Sequence, residues 1–318
     1  MLSSRWTGIS GDLPSTSKLG HTKSQRSYSF GIRNTTMPLS KLNIRGAAAT
    51  STAGGQVVFP VKDTHTLIQA AGYLKHVRGK QKSELVFFRG ESKIYPTLPP
   101  TAFRGITTKR AESSAVKRIN KAITHFSRPL AATASYAHEA LLQHYGLKTT
   151  WIDLVDNIWV ALWFACHQAR SAGPCGEYLH FERRIPRTDA TGKAYILLVG
   201  ADAVAPDPAR SGLYVGPNTE LIDLRIAAPS VFVRPHAQHG LLMRMKGNHT
   251  QRPLDYSSQI RGVLEIDLSD ALEWLGNSTA LSTHSLFPPP AYDNGYSTLL
   301  QASFPGEKNV GCIQHIGA

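Results

Sequence analysis

Glu139-Ala-Leu-Leu-Gln143-His144-Tyr145-Gly146-Leu147-Lys148-Thr149-Thr150-Trp151-Ile152-Asp153-Leu154, followed two residues later by Asn157-Ile-Trp-Val-Ala161-Leu162-Trp-Phe164-Ala165-Cys166, decides the fold class. The first part reads as the end of a helix running from about Ala131 to Tyr145. Gly146 closes it, because glycine takes the left-handed conformation found just past helix ends at no steric cost. Thr149 to Leu154 is short and β-prone. Asn157 to Ala169 then reads as a buried helix, with Asn157 as its N-cap.

Working outward, Glu84-Leu-Val-Phe-Phe88 is a short buried strand stopped by Arg89-Gly90. Ala194 to Val199 and Val263 to Asp267 have the apolar runs of central strands. Helical spacing predicts a helix over Thr64 to Val77 capped by Thr64. It predicts a second over Ala111 to Phe126, with a basic face of Lys117, Arg118 and Lys121. A short third helix over Ser269 to Leu275 is capped by Ser269. Tyr95 to Pro100 is a loop. Strands and helices mix without a regular βα alternation. The expectation is therefore an α+β fold, a small mixed central sheet with flanking helices.

The 318 residues carry a formal net charge of +13, with 42% hydrophobic and only 18% charged residues. That supports a sizeable core and excludes a coiled coil or a wholly disordered chain. The basic balance favours an anionic partner: a nucleotide, nucleic acid or an anionic membrane. The longest apolar run, Ile158 to Cys166, is well short of the roughly 18–20 residues that span a bilayer, so no membrane segment is expected. Cys166, Cys175 and Cys312 are too few and too scattered for a disulfide framework and fit a reducing, cytoplasmic setting.

Residues 1–56 hold Arg5, Lys18, Lys23, Arg26, Arg33, Lys41 and Arg45 against the single acid Asp12, and they lack apolar periodicity. They read as a disordered basic tail, with one domain over 57–318. An organellar transit peptide over 1–36, or a start at Met37, are the alternatives.

Common chemistries fail at the motif level. His138-Glu-Ala-Leu-Leu-Gln-His144 puts Leu142 where a zinc helix needs its second His. Gly72 to Lys80 lacks the spacing of a phosphate loop, no Gly-x-Ser-x-Gly elbow occurs, and no metal is expected. Two polar segments remain. Arg89 follows an apolar strand at the sheet's end and offers a rigid fork of donors to phosphate or carboxylate. Gly90 beside it would admit a ligand to the backbone. The structural alternative pairs Arg89 with Glu91 or another carboxylate. In the second segment Glu139 and Gln143 share a helix face, and His144, Tyr145, Thr149 and Asp153 follow within ten residues. An acid among so much apolar surface needs a partner, and Arg89 is a candidate for Asp153. The segment reads equally as a buried network or as an active site.

Phe88-Arg89-Gly90, Gln143-His-Tyr-Gly-Leu-Lys-Thr149 through Asp153, and Asn157 through Ala161-Leu162-Trp-Phe164-Ala165 together resemble the FRG domain family. Arg234-Pro-His-Ala-Gln238-His-Gly240 resembles its later element, so the likeness runs from about Glu84 to Met243. Thr150, Leu154 and Val155 depart from its Arg, Trp and Thr. The resemblance implies an effector of bacterial or phage conflict. A remoter resemblance to ADP-ribosyltransferases implies an NAD-using transferase or glycohydrolase. Under that likeness Arg89, Gly90, Gln143, Tyr145, Thr149 and Gln238 bind NAD, and Glu139, Asp153 and His144 do the chemistry. Gly240 stands where a Glu would close that site. The alternatives are a module that binds nucleic acid or a nucleotide without catalysis, and a structural interaction domain.

Overall fold

The structure, a computed structural model, describes residues 50–51, 56–80, 84–247 and 254–317, which fall in the compact unit Met37–Ala318. In chain order the elements are β1 (Thr50–Ser51), β2 (Val57–Val61), α1 (Thr64–Lys80), β3 (Leu85–Glu91), α2 (Lys109–His125), α3 (His138–His144), β4 (Ile152–Val155), α4 (Ile158–Cys166), β5 (His167–Ala172), β6 (Tyr178–Arg183), β7 (Lys193–Ala201), β8 (Ala205–Pro206), β9 (Leu213–Val215), β10 (Thr219–Asp223), α5 (Leu224–Ala227), α6 (Val233–Ala237), β11 (Gly240–Met245), β12 (Ile260–Asp267), α7 (Leu268–Trp274), α8 (Thr283–Leu286), α9 (Asn294–Gln301) and β13 (His315–Ile316). The class is α+β, as expected.

The sheet is mixed but not small. Ten strands run in the order β1-β2-β12-β7-β3-β4-β11-β10-β9-β8, and β13-β6-β5 form a second sheet. Most neighbours are antiparallel; β12 and β2 pair in parallel. The extra strands are short or polar, such as β8 and β9, whose few residues carry little periodic signal. β1 lies inside the stretch expected as tail and pairs Thr50 with Val58. The rest of that tail, apart from Gln56, lies outside the described residues.

The middle of the large sheet is a seam. β3 runs along β7 over seven residue pairs, Leu85 to Glu91, yet it meets β4 in register only at Phe88 and Val155. Two five-stranded halves are thus joined by one ladder pair. One face is sealed by a continuous apolar layer from both halves, including Phe87, Leu197, Val263, Ile152, Leu154 and Leu241. The other face carries two separate cores. One packs α1, α4 and α7 against β3, β7 and β12. The other packs α3, α5 and α9 against β10 and β11. A cleft opens between them, over the seam.

Several local expectations are corrected. β3 does not stop at Phe88 but carries Arg89-Gly90-Glu91 as ladder residues against β7. α1 is started by Asp63, whose Oδ1 accepts the Thr66 N–H at 2.6 Å, rather than by Thr64. The helix expected from Ala131 begins only at His138. Hydrogen-bonded turns precede it, closed by the His138 ring against the Thr133 carbonyl at 2.8 Å. α4 ends at Cys166, because Gln168-Ala-Arg-Ser-Ala172 has no apolar face to bury and pairs with β6 instead. α7 begins at Leu268, and no side chain caps it. Asn157 does cap α4, accepting the Trp159 N–H at 2.9 Å. Gly146 closes α3 at φ +119°. Among the described residues no helix is long and apolar enough to cross a membrane.

Candidate functional site

The cleft at the seam has a volume of about 280 Å³, and its polar walls are Arg89, Gln143, His144, Asp153, His167, Gln238 and Gln314. Strand alternation puts Arg89 on the side of Phe87, opposite Phe88 and Gly90, so it lines the cleft from the sealed-layer side, through the opening at the seam. Where β3 and β4 part, its guanidinium fills the gap. Nη1 donates to the Asp153 carbonyl at 2.9 Å, and Nε donates to Glu91 Oε1 at 2.7 Å. Glu91 is two residues along the strand, on the same face. Arg89 therefore meets the backbone of Asp153, not its carboxylate, and its ion-pair partner is Glu91. Burial opposes its charge, but Glu91 and Asp153 outweigh that and hold its pKa above the ordinary value.

Asp153 reaches the cleft because Ile152 and Leu154 face the sealed layer and the residue between them must face the other way. Beside it, both ring nitrogens of His144 are buried without a well-formed hydrogen bond. The Gln238 amide faces the ring too loosely to count as one. Burial pushes the His144 pKa down, Asp153 pulls it up, Arg234 pushes it down and Gln238 pulls it up. The net shift is downward, so the imidazole is neutral near pH 7. Gly240 makes room for it: a methyl group there would lie 2.5 Å from Cε1 and 2.8 Å from Nε2 of the ring.

Gln143 is buried behind this wall. Its Oε1 accepts the Thr149 hydroxyl, which itself accepts the Trp151 N–H at 3.2 Å, so the hydroxyl proton has only the amide oxygen to go to. That leaves Nε2 as a buried donor with no partner among the described residues. Gln238, at the end of α6, donates to the Leu286 carbonyl at 2.9 Å and also lines the cleft.

The sequence-predicted residues thus divide. Arg89, Gly90, Gln143, His144, Asp153 and Gln238 converge on one cleft. Thr149 supports Gln143 from behind. Glu139 points elsewhere: it accepts the Thr150 N–H at 2.9 Å and hydroxyl at 2.8 Å and pairs with Arg244 at 3.4 Å, so it pins the α3–β4 connection. Tyr145 is also outside. Its hydroxyl donates to Asp293 at 2.7 Å, and its ring lies under the Arg234 guanidinium at 4.4 Å. Gly90 is a glycine for a different reason from the one expected. A methyl group there would sit on the Ala161 carbonyl oxygen, 2.9 Å from its carbon and 2.8 Å from the Ala165 nitrogen. The close approach is that of α4, not of a ligand.

Three residues escaped the sequence reading. His167 donates from Nδ1 to the Trp163 carbonyl at 2.7 Å and stacks on the Trp163 ring at 4.1 Å. That bond fixes the tautomer with Nε2 as an acceptor. Burial pushes its pKa down, against the Trp163 carbonyl, which raises it. Arg234 is fully buried among Tyr145, Tyr296 and Phe287, donates to the His144 carbonyl at 2.6 Å, and has its pKa lowered by burial. Asp293, equally buried, takes the Tyr145 hydroxyl and the N–H groups of Arg234 and Tyr296. Only tertiary contacts bring these together, although Arg234 stood in the segment likened to a family element.

Gly90, Phe164, His167 and Ala169 also line a second compartment of about 480 Å³, with Tyr95, Leu98, Pro99 and Arg104 on its walls. The two cavities share His167 at their junction.

An α+β domain with a polar cleft where its sheet divides is the class that fold and site define. Residues 84–173 match the family model of the FRG domain, and the chain carries an FRG domain. The match takes in β3, α3, β4 and α4, and so Arg89, Gln143, His144 and Asp153; Gln238 and Gly240 lie beyond it. No curated protein and no solved structure matches the chain.

Proposed function

We propose that this cleft binds an NAD-type dinucleotide and that the domain breaks its nicotinamide–ribose bond, as a glycohydrolase or an ADP-ribosyltransferase. The observation that carries the reading is the convergence of Arg89, Asp153, a neutral His144 and the unpartnered Gln143 amide on one cleft. Arg89 spends Nε and Nη1 on the protein, and among the described residues Nη2 makes no hydrogen bond. That leaves a charged donor for the diphosphate. The nicotinamide ribose lies in the inner compartment. The adenylate half extends past His167 toward Tyr95 and Arg104. As the C–N bond breaks, nicotinamide leaves with the bonding pair, and the Asp153 carboxylate stabilises the cationic ribose. The neutral imidazole of His144 adds no second positive charge to that of Arg89 beside the carboxylate. Water or an acceptor hydroxyl adds to the ribose carbon, and its proton passes to Nε2 of His167.

The test is nicotinamide release and NAD binding by the full chain. Asp153→Asn is expected to abolish release while retaining binding. Glu139→Ala is expected to retain both and to lose about 2–3 kcal/mol of stability, the cost of its broken hydrogen bonds and ion pair. A folded parent that binds no NAD refutes the reading. A second reading is favoured by α2, where Lys109, Arg110, Lys117 and Lys121 are exposed and make no ion pair among the described residues. It predicts nucleic-acid binding that weakens steeply with salt.

A further inference from the structure

Cys175 and Cys312 are 137 residues apart in the chain, yet they meet beside Gly306. A methyl group on Gly306 would lie 2.8 Å from Cys312 Cβ, 3.2 Å from Cys175 Cβ and 3.0 Å from Cys175 Sγ, so both β-carbons stand within about 3 Å of one point. The Cys312 thiol lies 3.8 Å from the Cys175 carbonyl. Their β-carbons are therefore at most about 6 Å apart, a bound that includes the roughly 3.5–4.5 Å a disulfide needs. Cys175 sits on the exposed turn between β5 and β6 and is part-exposed; Cys312 is buried. Cys166, nine residues before Cys175, is buried in the core inside α4, and burial raises its pKa to about 12.

We infer that Cys175 and Cys312 form a reversible oxidation site, closed by thiol–disulfide exchange with a small disulfide such as glutathione disulfide. The Cys175 thiolate attacks the small disulfide, giving a mixed disulfide and releasing one thiolate. Cys312 then gives up its proton to solvent, and its thiolate attacks the Cys175 sulfur. The second small thiolate leaves. Two protein thiols are oxidised to one disulfide, and one small disulfide is reduced to two thiols. Both protein thiols are held above their ordinary pKa, Cys312 at about 11, chiefly by burial. The exchange is therefore slow near pH 7 and quickens as pH rises.

The bond fastens a segment that already touches the cleft. Gln314, two residues beyond Cys312, lines the cleft and donates to the Gly176 carbonyl at 3.1 Å. The next residues form β13 against β6. Closing the disulfide removes freedom from the unfolded chain over a long loop and locks this strand in place.

The full chain is incubated at pH 8 with glutathione disulfide or with reduced glutathione, then unfolded, thiol-tagged and mapped by mass spectrometry. Two of the three thiols are expected to be lost, with one peptide pair joining Cys175 to Cys312 and Cys166 still free. The melting midpoint should rise by roughly 5–10 °C on oxidation and fall back with dithiothreitol. Cys175→Ser and Cys312→Ser should each abolish the cross-link and the rise; Cys166→Ser should keep both. A mixed disulfide on Cys175 that never resolves, a cross-link through Cys166, or oxidation with no linked pair overturns the inference.

Discussion

Replacing Gly90 by Ala adds one methyl group where α4 comes closest to β3. The atoms it meets are backbone, the Ala161 carbonyl and the Ala165 nitrogen, so no side chain can swing aside. The helix must retreat by about 1–1.5 Å to restore ordinary contact. With nine residues it is about 13 Å long and covers the sheet over a width of about 10 Å. The retreat opens roughly 130–200 Å³ of unfilled space, which costs about 3–5 kcal/mol at about 24 cal/mol per Å³. Urea unfolding should show that loss as a lower midpoint with an unchanged slope. Gly72→Ala is the control, because nothing lies within 4 Å of an added methyl group on that helical glycine. It should be neutral or stabilising by up to about 1 kcal/mol. If Gly90→Ala keeps the parental midpoint, α4 does not rest on β3 as described, and Gly90 is reserved for a ligand after all.

Gly240→Ala should push the His144 ring out of its seat and cost about 1–3 kcal/mol. In a His144→Ala background the same change should be nearly neutral, and an equal cost in both backgrounds would contradict the contact. The pKa values of His144 and His167 are held below that of an unfolded histidine, about 6.5. Below pH 6.5 the unfolded chain therefore takes up protons that the folded chain refuses, and stability should fall as pH drops from 7 to 5. His167→Phe keeps a ring on Trp163 but does not titrate, so it should flatten that fall, as measured by denaturant midpoints across the range; a parent with a level profile would rule the linkage out.

The parts of the fold legible in the sequence are those with local causes. Asn157 as a cap, Gly146 as a helix end and the apolar runs of β7 and β12 each follow from neighbouring residues. Gln143, His144 and Asp153 were legible as a group because one turn of helix, a short connection and a strand carry all three to one wall. What stayed hidden depends on distant chain. Nothing near Glu139 in sequence announces Arg244, 105 residues away, which draws its carboxylate from the cleft. Nothing near Tyr145 announces Asp293. The sequence around Gly90 suggests a ligand and not α4, because a glycine's neighbour in space cannot be read from its neighbours in sequence.

The single ladder pair joining the two halves of the sheet works like a zip fastener caught on one tooth. Arg89 reaches across the opening from one side to the Asp153 backbone on the other, and the polar walls come from both. One apolar layer runs beneath both halves, but on the cleft face each carries its own core. A ligand held by both walls would act as a second tooth on that face, read out as stiffening between the two cores rather than within either one.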